Sequence, residues 1–355
     1  MSKKLFAAFY ALALALAISP LSAVAQTNGS VSTGFTRSTG GGEKPIIKVK
    51  WEMRGGTQGA DDSIAAGAQL LPSGQYQVNT SVTYCAVATD PDGLADINAV
   101  YADVFYPEDV SFHNGASGCH EPVHDEVLLS QLSKANGLAL ICDAIRNNNN
   151  NLPEWATGYD YAEICAQDGE LQKETAAVYC GTRELSYEDP DGMYWVDVHA
   201  ADKAGLDSDI LQNKLVYLPL TAFAVDFTSV DYGNVKLNTH KIKNGNLTFS
   251  NGDGLPTVRN TGNTRMTLLV KQDDMGLGTT NGVSNVEYDG RVGSDATFSI
   301  YNPGVWEPLE NTLELSEDDE VDFSILVKKF PNTNGNYTGT MQLDAQTEAH
   351  PSCGE

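Results

Sequence analysis

Residues 120 to 124 read His-Glu-Pro-Val-His, the spacing of the H-E-x-x-H motif of zinc peptidases. That chemistry sets two His one turn apart on one helical face and uses the Glu to activate a zinc-bound water. Pro122 falls where such a helix must run unbroken, because proline has no amide donor and its ring obstructs the preceding turn. The sequence therefore predicts Pro122 as the first residue of a following helix, with His120 before it and His124 inside it. A different chemistry is offered by Asp90-Pro91-Asp92-Gly93-Leu94-Ala95-Asp96. Three carboxylates around a glycine turn supply the hard oxygens that Ca2+ prefers, although the ligand spacing and closing Glu of an EF-hand are missing. The plain alternative has each Asp hydrogen-bonding its own turn. No Walker loop, G-x-S-x-G or dinucleotide fingerprint occurs in the chain.

The elements that must position these residues read as strands. Tyr84, Ala86 and Ala88 alternate before Asp90; Val100, Ala102, Val104 and Tyr106 alternate before Pro107; Tyr194, Val196, Val198 and Ala200 alternate before Asp202. A period of two bounded by turn residues predicts half-buried antiparallel strands. Between residues 107 and 189 that pattern gives way to helical spacing at Val127, Leu128, Leu132, Ala135, Leu138 and Ile141, and shorter helices are expected over 159–166 and 171–183. After Leu218-Pro219-Leu220 the alternation returns, in rows such as Met266, Leu268, Val270 and Val321, Phe323, Ile325, Val327. The predicted fold class is mainly β: two β-sandwich domains over 45–218 and 219–346, the first carrying a helical insertion at 107–189, then a tail at 347–355.

Six Cys, an even number, stand at Cys85, Cys119, Cys142, Cys165, Cys180 and Cys353, and four of them lie in the insertion. No close pair matches a zinc spacing, so disulfides are expected. If the later helices return antiparallel to the first, Cys142 meets Cys165 and Cys119 meets Cys180, leaving Cys85 and Cys353 over.

The strand ending in Ala88-Thr89-Asp90-Pro91-Asp92-Gly93-Leu94-Ala95-Asp96-Ile97 resembles the immunoglobulin-like modules of microbial surface proteins, the PKD and cadherin-like group. A second match is Val196-Asp197-Val198-His199-Ala200-Ala201-Asp202-Lys203-Ala204-Gly205. The resemblance implies that the two following loops share one end of a sandwich. Asp202 would then join Asp90, Asp92 and Asp96 as a Ca2+ ligand. In the second domain, Val258 to Thr264 before an alternating strand looks like the sandwich repeats of camelysin-type fibre subunits.

Composition sets the partners. The 355 residues carry 22 Lys plus Arg against 47 Asp plus Glu, a formal charge of -25. So acidic a chain is repelled by phosphate backbones and anionic lipids, which excludes nucleic acid and anionic membrane surfaces as partners. Residues 1–25 have the order of a secretory signal peptide, with Lys3 and Lys4, an apolar run from Leu5 to Ile18, and Ala23-Val24-Ala25 for cleavage. Residues 26–44 read as a flexible Gly/Ser/Thr leader. The expectation is a noncatalytic, exported cell-surface or extracellular structural or adhesive protein. Its partners would be other surface proteins, glycans or copies of itself in a filament. The alternative is a secreted zinc-dependent hydrolase using the insertion.

Overall fold

Alternating apolar residues become strands throughout the computed structural model, which describes residues 42–54, 68–106, 121–143, 154–331 and 335–349, with backbone alone for 121–125. The predicted signal peptide, most of the predicted leader, His120, Cys119 and Cys353 lie outside the described residues. Among the described residues nine strands precede residue 218: β1 Ile46–Arg54, β2 Gln69–Leu70, β3 Thr80–Thr89, β4 Ile97–Tyr106, β5 Glu121–Gln131, β6 Glu154–Trp155, β7 Ala176–Leu185, β8 Gly192–Asp202 and β9 Leu211–Tyr217. They pair in the order β2-β9-β8-β4-β5-β7-β3-β1-β6. β5 is the corner strand: its residues up to Leu129 pair with β4, while Ser130 and Gln131 pair with β7. The sheet thereby folds over itself and brings β1 against β8 and β9. Between the two layers lie Val82, Tyr84, Ala86, Val100, Ala102, Val104, Val196, Val198, Leu215 and Tyr217.

The insertion is less helical than its sequence predicts. Helix α1 covers only Lys134–Gly137 and continues as a π turn over Leu138–Asp143; α2 is Tyr161–Cys165 and α3 is Glu170–Lys173. The expected long helix from Val127 is instead the end of β5, and the expected helix over 171–183 is mostly β7. In β5 the alternation is plain, with Val127 and Leu129 buried and Leu128 53% exposed. β7 is covered on both faces: Ala177 and Tyr179 meet the main core, while Ala176 and Val178 meet the helices. A strand buried on both faces is a continuous apolar run, which periodicity alone does not separate from a helix.

The disulfide Cys142–Cys165 forms as expected and ties the π turn to α2. The expected Cys119–Cys180 pair does not form, because Cys180 is bonded to Cys85. Those two residues face each other on β7 and β3, an adjacency that appears only once residues 176–185 are a strand. The helices and this pairing cover the outer face of β1, β3 and β7, packing Ile141, Ile164 and Leu171 on Val49, Trp51, Met53 and Val87.

Among the described residues the remaining strands pair with one another and not with β1–β9. They are β10 Phe223–Val225, β11 Lys241–Lys243, β12 Thr257–Asn260, β13 Arg265–Gln272, β14 Thr279–Thr280, β15 Val283–Ser284, β16 Val286–Val292, β17 Ser299–Tyr301, β18 Glu307–Pro308, β19 Asp318–Val327 and β20 Met341–Glu348. One sheet runs β10-β12-β19-β16-β17 with β11 also on β19, and a second runs β18-β13-β20. The predicted inward rows meet between them, Met266, Leu268 and Val270 against Val321, Phe323, Ile325 and Val327. β20 runs to Glu348, so residues 347 and 348, which the sequence assigned to the tail, belong to a strand. The whole is mainly β, with several sheets and a small disulfide-bonded helical insertion.

Candidate metal centre

Asp90 follows β3 and opens a turn in which the Gly93 amide donates to the Asp90 carbonyl at 2.9 Å. Gly93 has φ 107°, a backbone conformation that a side chain would strain, which accounts for glycine there. A short 3-10 turn over Leu94–Asp96 then leads into β4, with the Asp96 amide donating to the Gly93 carbonyl at 2.8 Å. Asp202 ends β8. Its amide bonds the Leu206 carbonyl at 3.0 Å, and the next amide, of Lys203, donates to the Asp96 carbonyl at 2.9 Å. The two loops are thus joined through their backbones, because β4 and β8 are neighbours in the sheet.

Three of the four predicted ligands gather at this end of the fold, and Asp202 lies at the start of the adjoining loop, outside that group. Asp90, Asp92 and Asp96 each present a carboxylate oxygen, all within 4.8 Å of one another. Gly42 supplies the fourth direction. A Cβ on Gly42 would stand 2.8 Å from Asp92 Oδ2, 3.5 Å from Asp202 Oδ2 and 3.8 Å from Asp96 Oδ2. The next amide, of Glu43, donates to Asp92 Oδ2 at 3.0 Å. The segment leading into β1 therefore closes over the carboxylates, a role for Gly42 and Glu43 that their Gly-rich surroundings concealed.

The plain alternative of turn-capping accounts for one oxygen of Asp90 and one of Asp202. Asp90 Oδ1 accepts from the Asp92 amide at 2.7 Å and Asp202 Oδ1 accepts from the Leu206 amide at 2.8 Å. Asp90 Oδ2 and Asp202 Oδ2 are buried and have no hydrogen-bond partner. The residues themselves are only 4% and 2% exposed. Buried oxygens are normally satisfied, and orphaned ones in a native fold signal a water or an ion. Burial holds the Asp90 carboxyl above its ordinary pKa, and the charges of Asp96, Asp92 and Asp202 add to that rise. A divalent cation would relieve both the desolvation and the repulsion, and a set made only of oxygens suits Ca2+.

The zinc motif has no such setting. Pro122 and His124 lie in β5, opposite Phe105 and Val104, and not at the start of a helix. His120 lies outside the described residues, and the extended strand over Glu121–His124 is not the continuous helix on which that motif places its ligands.

No family model matches the chain, and no curated protein does. Among solved structures it is similar to a BspA C-terminal variant, at 13% identity and TM-score 0.21 over 86% of this chain and 95% of that one. It is also similar to a chain of the CsuC–CsuE chaperone–tip adhesion subunit pre-assembly complex from archaic Csu pili of Acinetobacter baumannii, at 14% identity and TM-score 0.28 over 80% and 99%. A third is the C-terminal domain of the antigen I/II-family protein AspA of Streptococcus pyogenes, at 14% identity and TM-score 0.20 over 85% and 95%. Similarity at this level carries no argument about fold or activity.

Proposed function

We propose that the protein is an exported, noncatalytic structural or adhesive protein of a cell surface or the extracellular space. It is built from two immunoglobulin-like lobes, over 45–218 and 219–346, and the first binds Ca2+ through Asp90, Asp92, Asp96 and Asp202. The observation that carries this reading is the pair of orphaned, buried oxygens, Asp90 Oδ2 and Asp202 Oδ2, beside Asp92 and Asp96 where the chain enters β1. A cation there would lock the segment before β1 to the loops after β3 and β8, stiffening the joint between the lobe and whatever precedes it.

Three further features support it. The order β9-β8-β4 on one layer and β7-β3-β1 on the other matches the G-F-C and E-B-A strands of an immunoglobulin sandwich. Tyr194 near the start of β8 donates its hydroxyl to the Pro190 carbonyl, the tyrosine-corner bond of that fold. Two disulfides belong to an oxidising compartment, which agrees with the signal-like N-terminus.

The test is a calcium titration of the purified, chelator-stripped protein followed by melting. At a hundredfold excess over Kd the melting temperature should rise by about 5 °C or more, and an Asp90→Asn/Asp202→Asn variant should lose the rise. A wild-type melting temperature indifferent to Ca2+ would remove the metal reading. Fractionation of the producing cells should place the chain in the envelope or medium, and a cytosolic location would remove the surface role.

A further inference from the structure

A second buried polar cluster lies inside the first sandwich, remote in sequence from the carboxylate loops. The register shift between Ile47 and Val49 in β1 turns Val49, Trp51 and Met53 toward the helices. Lys50 and Glu52 then face the main core, where they stand opposite Ala86 and Tyr84 of β3. Across the core, Asn213 occupies the apolar row of β9 that continues with Leu215 and Tyr217, and it pairs with Val196 of β8. Lys50 is 0%, Glu52 1% and Asn213 3% exposed, so the three side chains sit in a dry interior.

Their arrangement is that of a nucleophile, an electrophile and a proton carrier. Lys50 Nζ is in direct contact with the Asn213 carboxamide. Glu52 bridges the two nitrogens: Oε1 lies 2.5 Å from Lys50 Nζ and Oε2 accepts from Asn213 Nδ2 at 2.9 Å. Burial pushes the Lys50 amine below its ordinary pKa, against the opposing pull of Glu52, Asp197 and Glu154. A desolvated, uncharged lysine is a competent nucleophile.

We propose that Lys50 and Asn213 become joined through a covalent amide between Nζ and Cγ, formed with loss of ammonia and with Glu52 carrying the protons. Proton transfer from the Lys50 ammonium to Glu52 leaves a neutral amine and a neutral acid. The Nζ lone pair adds to Asn213 Cγ, and the carbonyl electron pair moves onto Oδ1. Glu52 gives its proton to Nδ2 and takes one from Nζ. The carbonyl reforms, the Cγ–Nδ2 bond breaks, ammonia leaves, and Glu52, which began as the carboxylate paired with the Lys50 ammonium, is left holding the proton it took from that ammonium. No oxidant, metal or second substrate is consumed.

The bond would span 163 residues and tie the first strand of the lobe to its last. Tension applied through the chain ends of this lobe would then run from β1 into β9 through one covalent link, and the strands between would not be peeled apart. That property suits a load-bearing surface protein, but the inference rests on Lys50, Glu52 and Asn213 and not on the calcium reading.

Mass spectrometry of the full mature chain, reduced and digested, tests it. The expected result is a branched peptide in which Lys50 resists trypsin and is linked to the Asn213 peptide, with a mass about 17 Da below the sum of the two free peptides, the mass of one ammonia. Glu52→Gln keeps the shape of the side chain without its proton exchange; it should fold, show the free Lys50 and Asn213 peptides, and melt on the order of 10 °C lower. Unlinked Lys50 and Asn213 peptides from the folded wild type would overturn the proposal and leave a buried ion pair. Full linkage in Glu52→Gln would overturn the role of Glu52.

Discussion

Cys85 and Cys180 stand directly opposite each other on β3 and β7, within a ladder that runs unbroken from the Thr80–Leu185 pair to the Thr89–Ala176 pair. Their disulfide closes a loop of 95 residues whose described part contains β4, β5, β6 and the helices α1, α2 and α3. Removing it with Cys85→Ala/Cys180→Ala should leave the register in place and lower stability by about 2–4 kcal/mol, chiefly by freeing the unfolded chain. Guanidinium denaturation of the two proteins measures the difference. An unchanged midpoint would show that the hydrogen-bonded ladder alone closes that loop.

The second disulfide has a local task. α1, α2 and α3 are four or five residues long, too short to hold themselves together, and they depend on Cys142–Cys165 and on packing against β1. Cys142→Ala/Cys165→Ala should therefore raise amide exchange over residues 134–173 by about tenfold or more while the amides of β3 keep their protection. Equal loss in both places would mean that the insertion and the sheet unfold as one unit.

Gly42 lies where any side chain would meet three carboxylates. Gly42→Ala should weaken Ca2+ binding by about tenfold, a cost of about 1.4 kcal/mol, through displacement of Asp92. The stripped protein should melt nearly as the wild type does, because the new methyl intrudes on the carboxylates and not on the core. Calorimetric titration of both proteins reads the affinity directly.

Burial holds the Asp189 carboxyl above its ordinary pKa even though Oδ2 accepts from the Ser186 amide at 2.6 Å. The sign follows from the charged form. Above the raised folded pKa the half-buried carboxylate destabilises the fold, and below the unfolded value of about 3.9 neither state is charged. Asp189→Asn should thus be more stable than the wild type at pH 7, with an advantage that shrinks as the pH falls toward 4. Urea midpoints across that range test the trend, and an advantage independent of pH would assign the effect to packing.

The strands with one wet or one dry face were legible in the sequence, as Tyr194, Val196 and Val198 show. The approach of Asp202 to Asp90, Asp92 and Asp96 was an implication of the resemblance to immunoglobulin-like modules, and the pairing of β4 with β8 brings the loops after β3 and β8 together. What hid the rest was double burial. β7 carries Ala176 to Tyr179 with no polar member, because helices cover one face and the core the other. That run imitated a helix and took the partner of Cys85 with it. Lys50 and Glu52 have the opposite disguise: two charges alternating with Val49, Trp51 and Met53 look like a solvated face, and only the register shift in β1 and the return of β9 bury them. Gly42 and Glu43 were concealed because a glycine's use depends on what comes near it, not on its neighbours in sequence.

Asn263 joins the two sets of strands from the inside. It is fully buried, its Oδ1 accepts from the Leu220 amide at 2.8 Å, its Nδ2 donates to the Leu218 carbonyl at 3.1 Å, and its own carbonyl accepts from the Asp191 amide at 3.0 Å. Asn263→Ala would leave the Leu220 amide and the Leu218 carbonyl without these partners, at a cost of about 1–3 kcal/mol for each group that stays dry. Arg259 makes a different connection, to Tyr76 between β2 and β3: its guanidinium lies 3.7 Å from the Tyr76 ring centre while it pairs with Asp318. A half-buried stack of that kind contributes about 0.5–2 kcal/mol. Asn263→Ala should therefore lower the denaturation midpoint more than Arg259→Ala and should be the variant that speeds exchange at the Leu220 amide. If Arg259→Ala proved the more damaging, the connection between the two sets of strands would be held by the Arg259 stack and not by the buried amide.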